Sequence, residues 1–462
     1  MTKSMSRSRH MCEWDEFDLS PPRMRALLAQ GQEGTHPPFL YLSVPEISAH
    51  EHRTGSEHWV RARIAASLPE RDRLAFRFSA AAHARIRIAY LSSDFHEHAT
   101  SHLLVETLEA HDRKRFEVHA FSFGGGDSMG MRERLRESFD YFHDVTALSD
   151  SDAARAIHRA GIDILIDLKG YTLGARTGIL MLHPAPVQVN YLGYPGTMGA
   201  DICDYIITDP FTTPMATASA YSEAFAYMPH TYQPHGRKSV IGRKPGRAEL
   251  GLPETGFVFC CFNQAYKITP PRFDLWCRLL DAAPGSVLWL LADERAQGNL
   301  RAEAMQRGIL PDRLVFAPHM PQSDHLGRLQ NADLMLDTSP YGAHTTASDA
   351  LWSGVPVVTC AGDTFPSRVA GSLLHAIGLP ELVAESEDAY FSMALALAAE
   401  PELLHACKAK LQRNRMTTPL FDVAAYTAAL EYLYETMWGR CRAGTAHTAI
   451  DATGDGMSMR TE

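Results

Sequence analysis

The stretch that decides the fold reads LMLDTSPYGAHTTASDALWSGVPVVT, from Leu334 to Thr359. It begins with a short apolar run, Leu334–Asp337, which predicts a strand. A turn containing Pro340 and Gly342 follows, then a segment that opens a helix running to about Trp352. The stretch closes on a second β-branched run, Val357–Thr359. Strand, crossover helix and strand in that order make a right-handed βαβ unit with parallel strands.

The same rhythm extends in both directions. Upstream lie Phe257–Phe262, Val287–Ala292 and Leu314–Ala317, each followed by a helical pattern, and downstream Phe421–Trp438 reads as a long amphipathic helix. A Gly- and Pro-rich interval, Pro229–Gly251, interrupts the alternation with a linker composition. Before it, Ile86–Leu91, Phe116–Phe121, Ile162–Leu168, Val187–Tyr191 and Asp204–Thr208 form a second set of strands. Leu103, Leu104 and Leu108 give the helix between the first two its apolar face, as Ala153, Ala156 and Ile157 do for the next. The first 82 residues are rich in charge, His and Pro, with helical stretches near Pro22–Gln30 and His58–Ala66. The expected division is a helical leader over 1–82, an α/β lobe over 83–235 and a linker over 236–250. A second α/β lobe with the closing helix follows over 251–442, and a disordered tail over 443–462. Two similar lobes facing each other across a cleft are the economical architecture.

Composition narrows the chemistry. The 462 residues, 45% hydrophobic and 21% charged, supply apolar material for more than one core. Runs such as Val287–Ala292 are far shorter than the roughly 18 residues of a membrane span, so no membrane partner is expected. A net charge of −10, from 54 acids and 44 bases, argues against binding nucleic acid through a basic stripe. The eight cysteines show no C-x-x-C spacing, and Met1–Asp18 carries bases with no apolar region after them. Reduced cysteines and no visible secretory signal lead to a cytoplasmic expectation. The oligomeric state is left open.

Three loops at expected strand ends stand out. Tyr341 to Asp349 opens a helix in which Gly342 allows a tight turn and Thr345 or Thr346 is a natural cap. Backbone N–H groups at such a start attract anions, and Asp349 lies one turn further on the same face, suited to ribose hydroxyls. Phe262 to Lys267 follows the first strand of the second half and places Lys267 for a diphosphate and Gln264 for a base or phosphate. Ser92 to His102 contains His96, His98 and His102; without a third matched ligand the spacing gives no metal site, and a base or hydrogen-bond role is the alternative. A lone solvated lysine, a capped surface helix and turn glycines are the plainer readings of the same residues.

Taken together, Leu91–His102, Gly170–Arg176, Leu192–Thr197, Phe262–Lys267 and His344–Asp349 resemble the catalytic region of O-linked N-acetylglucosamine transferases, with which the SPINDLY proteins share a broader family. The resemblance runs from His83 to Gly444. It implies a GT-B fold of two Rossmann-like domains and metal-independent, inverting transfer of a sugar from a nucleotide to Ser or Thr of proteins. UDP-N-acetylglucosamine is the implied donor, with no cofactor and no metal. Carried over by resemblance, Lys267 holds the diphosphate, His344, Thr345 and Thr346 contact sugar and phosphates, and Asp349 meets the ribose. Gln264, His325 and Arg328 fall near phosphate and base, and Leu192 and Gly193 border the sugar. His98 sits beside the acceptor hydroxyl, and His158 matches a second histidine considered as base, so the base stays open between them. The chain departs from the animal enzymes in lacking the long insertion between halves and in reducing the tetratricopeptide array to the leader. Tyr341 replaces a small residue near the acetamide, and Met320 and Gln322 replace alanine and lysine near the uracil. The alternatives are another donor such as GDP-fucose, or a non-catalytic nucleotide-sugar-binding protein.

Overall fold

A computed structural model describes residues 7–31, 36–78, 83–126 and 130–452. The chain forms two compact units. The first comprises Arg25–Tyr41, Ser48–Arg237 and the segment from Phe421 onward; the second comprises the segment ending at Met24, Leu42–Ile47 and Lys238–Leu420. The leader is therefore no separate domain. It contributes α1 (Ser20–Ala29) and α2 (Ala49–Leu74), and its residues are shared between the units.

The first unit continues with β1 (Ile86–Ser92), α3 (Ala99–Ala110), β2 (Phe116–Ser122), α4 (Met131–Glu137), β3 (Tyr141–Asp144) and α5 (Asp150–Arg159). Then come β4 (Ile164–Asp167), α6 (Thr177–Met181), β5 (Val187–Asn190), β6 (Tyr205–Thr208) and β7 (Ala224–Tyr227). The second unit carries β8 (Val258–Cys261), α7 (Pro270–Ala282), β9 (Val287–Leu291), α8 (Glu294–Gln306), β10 (Leu314–Ala317) and α9 (Gln322–Leu329). It is completed by β11 (Leu334–Leu336), α10 (Thr345–Trp352), β12 (Val357–Cys360), α11 (Phe365–Ala376), β13 (Val383–Ala384), α12 (Glu387–Ala399) and α13 (Pro401–Asn414). The chain ends in the first unit with α14 (Val423–Ala443) and β14 (Ile450–Asp451).

Both sheets are parallel. The first has the order β14-β7-β6-β5-β4-β1-β2-β3 and the second β10-β9-β8-β11-β12-β13. Central strands such as Ile164–Asp167 and Val258–Cys261 are buried along their whole length, as strands covered by helices on both faces must be. In each sheet the chain winds outward from a central strand and then restarts on that strand's other side. The restart falls between β1 and β4, where Leu91 pairs with Asp167, and between β8 and β11, where Cys260 pairs with Met335. Loops at the carboxyl ends of those strand pairs flank the crevice where doubly wound sheets bind ligands.

Two expectations about the chain's end need correcting. The closing helix α14 belongs to the first unit and not to the second lobe. Its polar groups decide this: Tyr426 and Tyr191 share a hydroxyl hydrogen bond of 2.5 Å, and Tyr434 and Tyr90 one of 3.1 Å. Buried phenols need partners, and theirs lie on the first sheet. The tail is not structureless from residue 443, because Ile450 and Asp451 pair with Ala226 and Tyr227 and bury Ile450 at the sheet edge. Residues 453–462 lie outside the described residues.

Candidate functional site

In the second unit, the loops after β8 and β11 meet at the restart point. Asp337 ends the buried run of β11, and its carboxylate accepts from the N–H groups of Thr338 (2.7 Å) and Ala343 (2.6 Å) and from Thr359 Oγ1 (2.7 Å). These bonds fold the Thr338–Ala343 loop back over the strand end. Burial pushes this carboxyl up from its ordinary range, while the three donors pull it down. Asn263, at the end of β8, ties the loops together: its amide donates to Thr338 Oγ1 at 2.7 Å, and its carbonyl accepts from Thr346 Oγ1.

Lys267 projects into this corner. It closes a short 3₁₀ turn, Ala265–Lys267, and is only 8% exposed. Its Nζ donates to the Gly342 carbonyl at 2.8 Å and lies 3.7 Å from the centre of the Tyr341 ring. Burial lowers its pKa to about 8, against the opposing pull of Asp337. Gly342 fits closely there, since a Cβ would stand 3.0 Å from Asp337 Oδ2 and 3.3 Å from the Pro366 carbonyl. Tyr341 is buried, with its ring 5.1 Å from that of His344.

The start of α10 differs from expectation in one respect. The N-cap is His344, and no side chain caps the helix; Thr345 and Thr346 are its first residues. Thr346 spends its hydroxyl on Asn263 instead. The His344 ring lies 3.2 Å from the Pro366 carbonyl through Nε2, and burial together with the Lys267 charge holds it neutral. A helix start without a side-chain cap beside a buried lysine is suited to an anion.

Asp349 is buried one turn into α10, close enough to His325 to pull that ring toward its charged form. Burial outweighs the pull and lowers the His325 pKa to about 4. His325 Nδ1 accepts from Arg328 Nε at 3.0 Å, so the neutral ring carries its proton on Nε2. Arg328 is 2% exposed and also donates to the Pro318 carbonyl. Its guanidinium thus holds His325 in place and is spent on the protein. Gln264 and Met320 are exposed, and Gln322 begins α9.

The remaining expected residues lie in the first unit. His98 caps α3, its Nδ1 accepting from the Thr100 N–H at 3.2 Å. Leu192 and Gly193 follow β5; Leu192 has φ of 66°, and a Cβ on Gly193 would fall 1.9 Å from the Leu168 carbonyl. His158 is placed elsewhere. It ends α5, whose chain returns to the start of β4, and it stacks on Phe76 at 4.4 Å. That is the amino-terminal end of the strands, whereas His98 stands at their carboxyl end. Asp337, Asn263 and the buried pair Asp94–Lys169 escaped the sequence reading. Their signal was an acid, amide or lysine directly at a strand's carboxyl end.

Comparison with known proteins assigns the chain. The model of glycosyl transferase family 41 matches residues 66–240 and 238–430. The chain belongs to glycosyl transferase family 41. It is 40% identical, over 77% of its length, to a probable UDP-N-acetylglucosamine–peptide N-acetylglucosaminyltransferase SEC of Arabidopsis thaliana, and 32% identical over 80% to a Caenorhabditis elegans transferase of that activity. The matches span 37% and 42% of those two relatives. Among solved structures it resembles an O-GlcNAc transferase mutant of Thermobaculum terrenum, with a TM-score of 0.81, 29% identity and coverage of 95% of this chain and 83% of that one. A UDP complex of Anabaena HepE, at 13% identity and a TM-score of 0.51, shares the fold. The fold is accordingly of the GT-B type, built from two Rossmann-like units.

Proposed function

We propose that this family 41 member is an inverting protein O-glycosyltransferase that moves N-acetylglucosamine from UDP-N-acetylglucosamine to Ser or Thr side chains. The observation that carries the proposal is the corner formed by Lys267, the Gly342 turn and the α10 start without a side-chain cap. It is a set of fixed positive groups, partly withdrawn from water, suited to a diphosphate. In the reaction the acceptor oxygen bonds to the anomeric carbon from the face opposite the nucleotide, and its hydroxyl proton passes to solvent. The bond from that carbon to the diphosphate oxygen breaks, and UDP departs with the electron pair. Charge grows on the diphosphate as it leaves, and Lys267 with the helix N–H groups stabilises it where it develops. Asp349, one turn inward, would accept from the ribose. On this reading no metal is required, and turnover persists in excess EDTA.

Tyr341 favours testing a second donor. Its buried ring beneath Lys267 occupies the position at which the resemblance expects a small residue. A panel of UDP- and GDP-sugars, read by UDP or GDP release and by the mass added to a Ser/Thr peptide pool, decides. An N-acetylhexosamine added from UDP-N-acetylglucosamine supports the proposal, whereas deoxyhexose added only from GDP-fucose replaces it. Binding without transfer from any donor would leave a nucleotide-sugar-binding protein. A cytoplasmic location is part of the same proposal; among the described residues no helix is long and apolar enough to cross a membrane.

A further inference from the structure

The first unit holds a buried charged pair that the transfer scheme leaves unused. Lys169, two residues beyond β4, donates through Nζ to both carboxylate oxygens of Asp94, each at 2.9 Å. Ser93 Oγ adds a 2.8 Å bond to the same carboxylate. The Asp94 backbone is equally fixed: its N–H donates to Ser92 Oγ at 2.9 Å, and its carbonyl accepts from Ser101 Oγ at 2.5 Å. His98 lies just beyond, with Nδ1 3.7 Å from Asp94 Oδ2.

Two partners compete for that nitrogen. The Thr100 backbone N–H reaches Nδ1 at 3.2 Å and can only donate, so Nδ1 must present its lone pair. The proton of the neutral ring then sits on Nε2. A free Asp94 carboxylate would favour the opposite arrangement, with a proton on Nδ1 and a charged ring. Lys169 opposes that pull by pairing with both oxygens of Asp94. Of the other groups around the ring, His96 (centroids 5.7 Å apart) and His102, held by Glu97 at 2.5 Å, also oppose a charge on His98. Burial acts in the same direction, and together they hold the ring below its ordinary range.

We propose that Lys169, by occupying both oxygens of Asp94, fixes His98 as its Nε2–H tautomer, so that His98 offers a substrate a hydrogen-bond donor and not a base. Lys169 is a positioning residue in this scheme. The nitrogen left outside the cap already carries a proton, so it cannot take one from an acceptor hydroxyl. What the donor meets rests on the transferase reading; the tautomer rests on the first unit alone.

The test uses the full chain labelled with ¹⁵N at histidine and long-range ¹H–¹⁵N correlation, with His98 assigned by the signals lost in His98→Gln. The expected spectrum at neutral pH shows Nε2 protonated and Nδ1 bare. Lys169→Met should convert His98 to a protonated or Nδ1–H ring and raise its titration midpoint, while Lys169→Arg keeps the original pattern. A wild-type ring protonated on Nδ1, or a Lys169→Met spectrum unchanged from wild type, overturns the proposal. Should Lys169→Met fail to fold, Lys169→Gln takes its place, with the same change expected and a spectrum unchanged from wild type overturning the proposal. In turnover, His98→Gln retains an amide donor and should lose no more than ~10-fold in kcat with its acidic limb unmoved, whereas a general base would cost ~100-fold or more and take that limb with it. If the wild type transfers no sugar, the spectra still read the tautomer, so failure of the enzymatic reading is told apart from failure of this one.

Discussion

Lys267 carries its charge close to the limit of its environment. With a pKa of about 8 it is mostly protonated at pH 7 and neutral well above 8. If its ammonium stabilises the departing diphosphate, kcat/KM for the donor should fall as pH rises through about 8, and the limb should vanish in Lys267→Arg. Lys267→Ala should cost on the order of 100- to 1000-fold in turnover, the usual loss on removing one such donor. Gly342→Ala tests the turn that receives Lys267. Its added Cβ must push aside Asp337 or the Pro366 backbone, so donor KM should rise while the global fold survives by circular dichroism. Two neutral histidines make a separate prediction. His52 and His325 titrate near 4 in the folded chain, so between about pH 6.5 and 4 the unfolded chain binds protons that the native one does not. Stability is complete above that window and falls within it as pH drops, by on the order of 3 kcal/mol for His52 alone, read from urea midpoints across the pH range.

Among the elements, α14 shows where a linear pattern stops informing. Its helical period is legible from Phe421 to Trp438, but the sheet it covers is not, because tyrosines at helical spacing look alike against any core. Glu431 settles the matter in three dimensions: it faces His111 Nδ1 at 3.0 Å and accepts from the Asp112 N–H at 2.8 Å and from Arg115 at 3.2 Å. Glu431→Ala strands these groups and should lower stability by about 2–3 kcal/mol, seen as an earlier urea transition of the first unit. The long buried strands were readable because both faces are apolar. Tyr141–Asp144, Val383–Ala384 and Ile450–Asp451 were not, being short or polar strands at sheet edges, and the inner strand Ala224–Tyr227, only four residues long, was missed as well. Site loops were legible where a strand end and a motif coincide, as at Phe262–Lys267. A histidine's helical position does not report which end of the strands it reaches, and His158 stands at the opposite end from His98.

At the scale of the molecule, the chain joins its units more often than a lobe–linker–lobe reading allows. The leader enters the second unit, where Trp14 meets Phe273 at 5.4 Å, the Cys12 thiol donates to the Ala265 carbonyl, and His10 lies 4.9 Å from the Tyr266 ring. Ala265 and Tyr266 belong to the turn that ends at Lys267. Removing residues 1–24 should therefore lower the thermal midpoint of the second unit and weaken UDP binding, read by calorimetry; an unchanged affinity would confine the leader to a structural role. Transfer depends on the diphosphate corner. Its most direct test is the rate of UDP release from UDP-N-acetylglucosamine, with a Ser/Thr peptide pool and excess EDTA, by the wild type and by Lys267→Ala. The wild type should release UDP and the variant lose on the order of 100-fold or more; equal rates from the two proteins would overturn the role of Lys267.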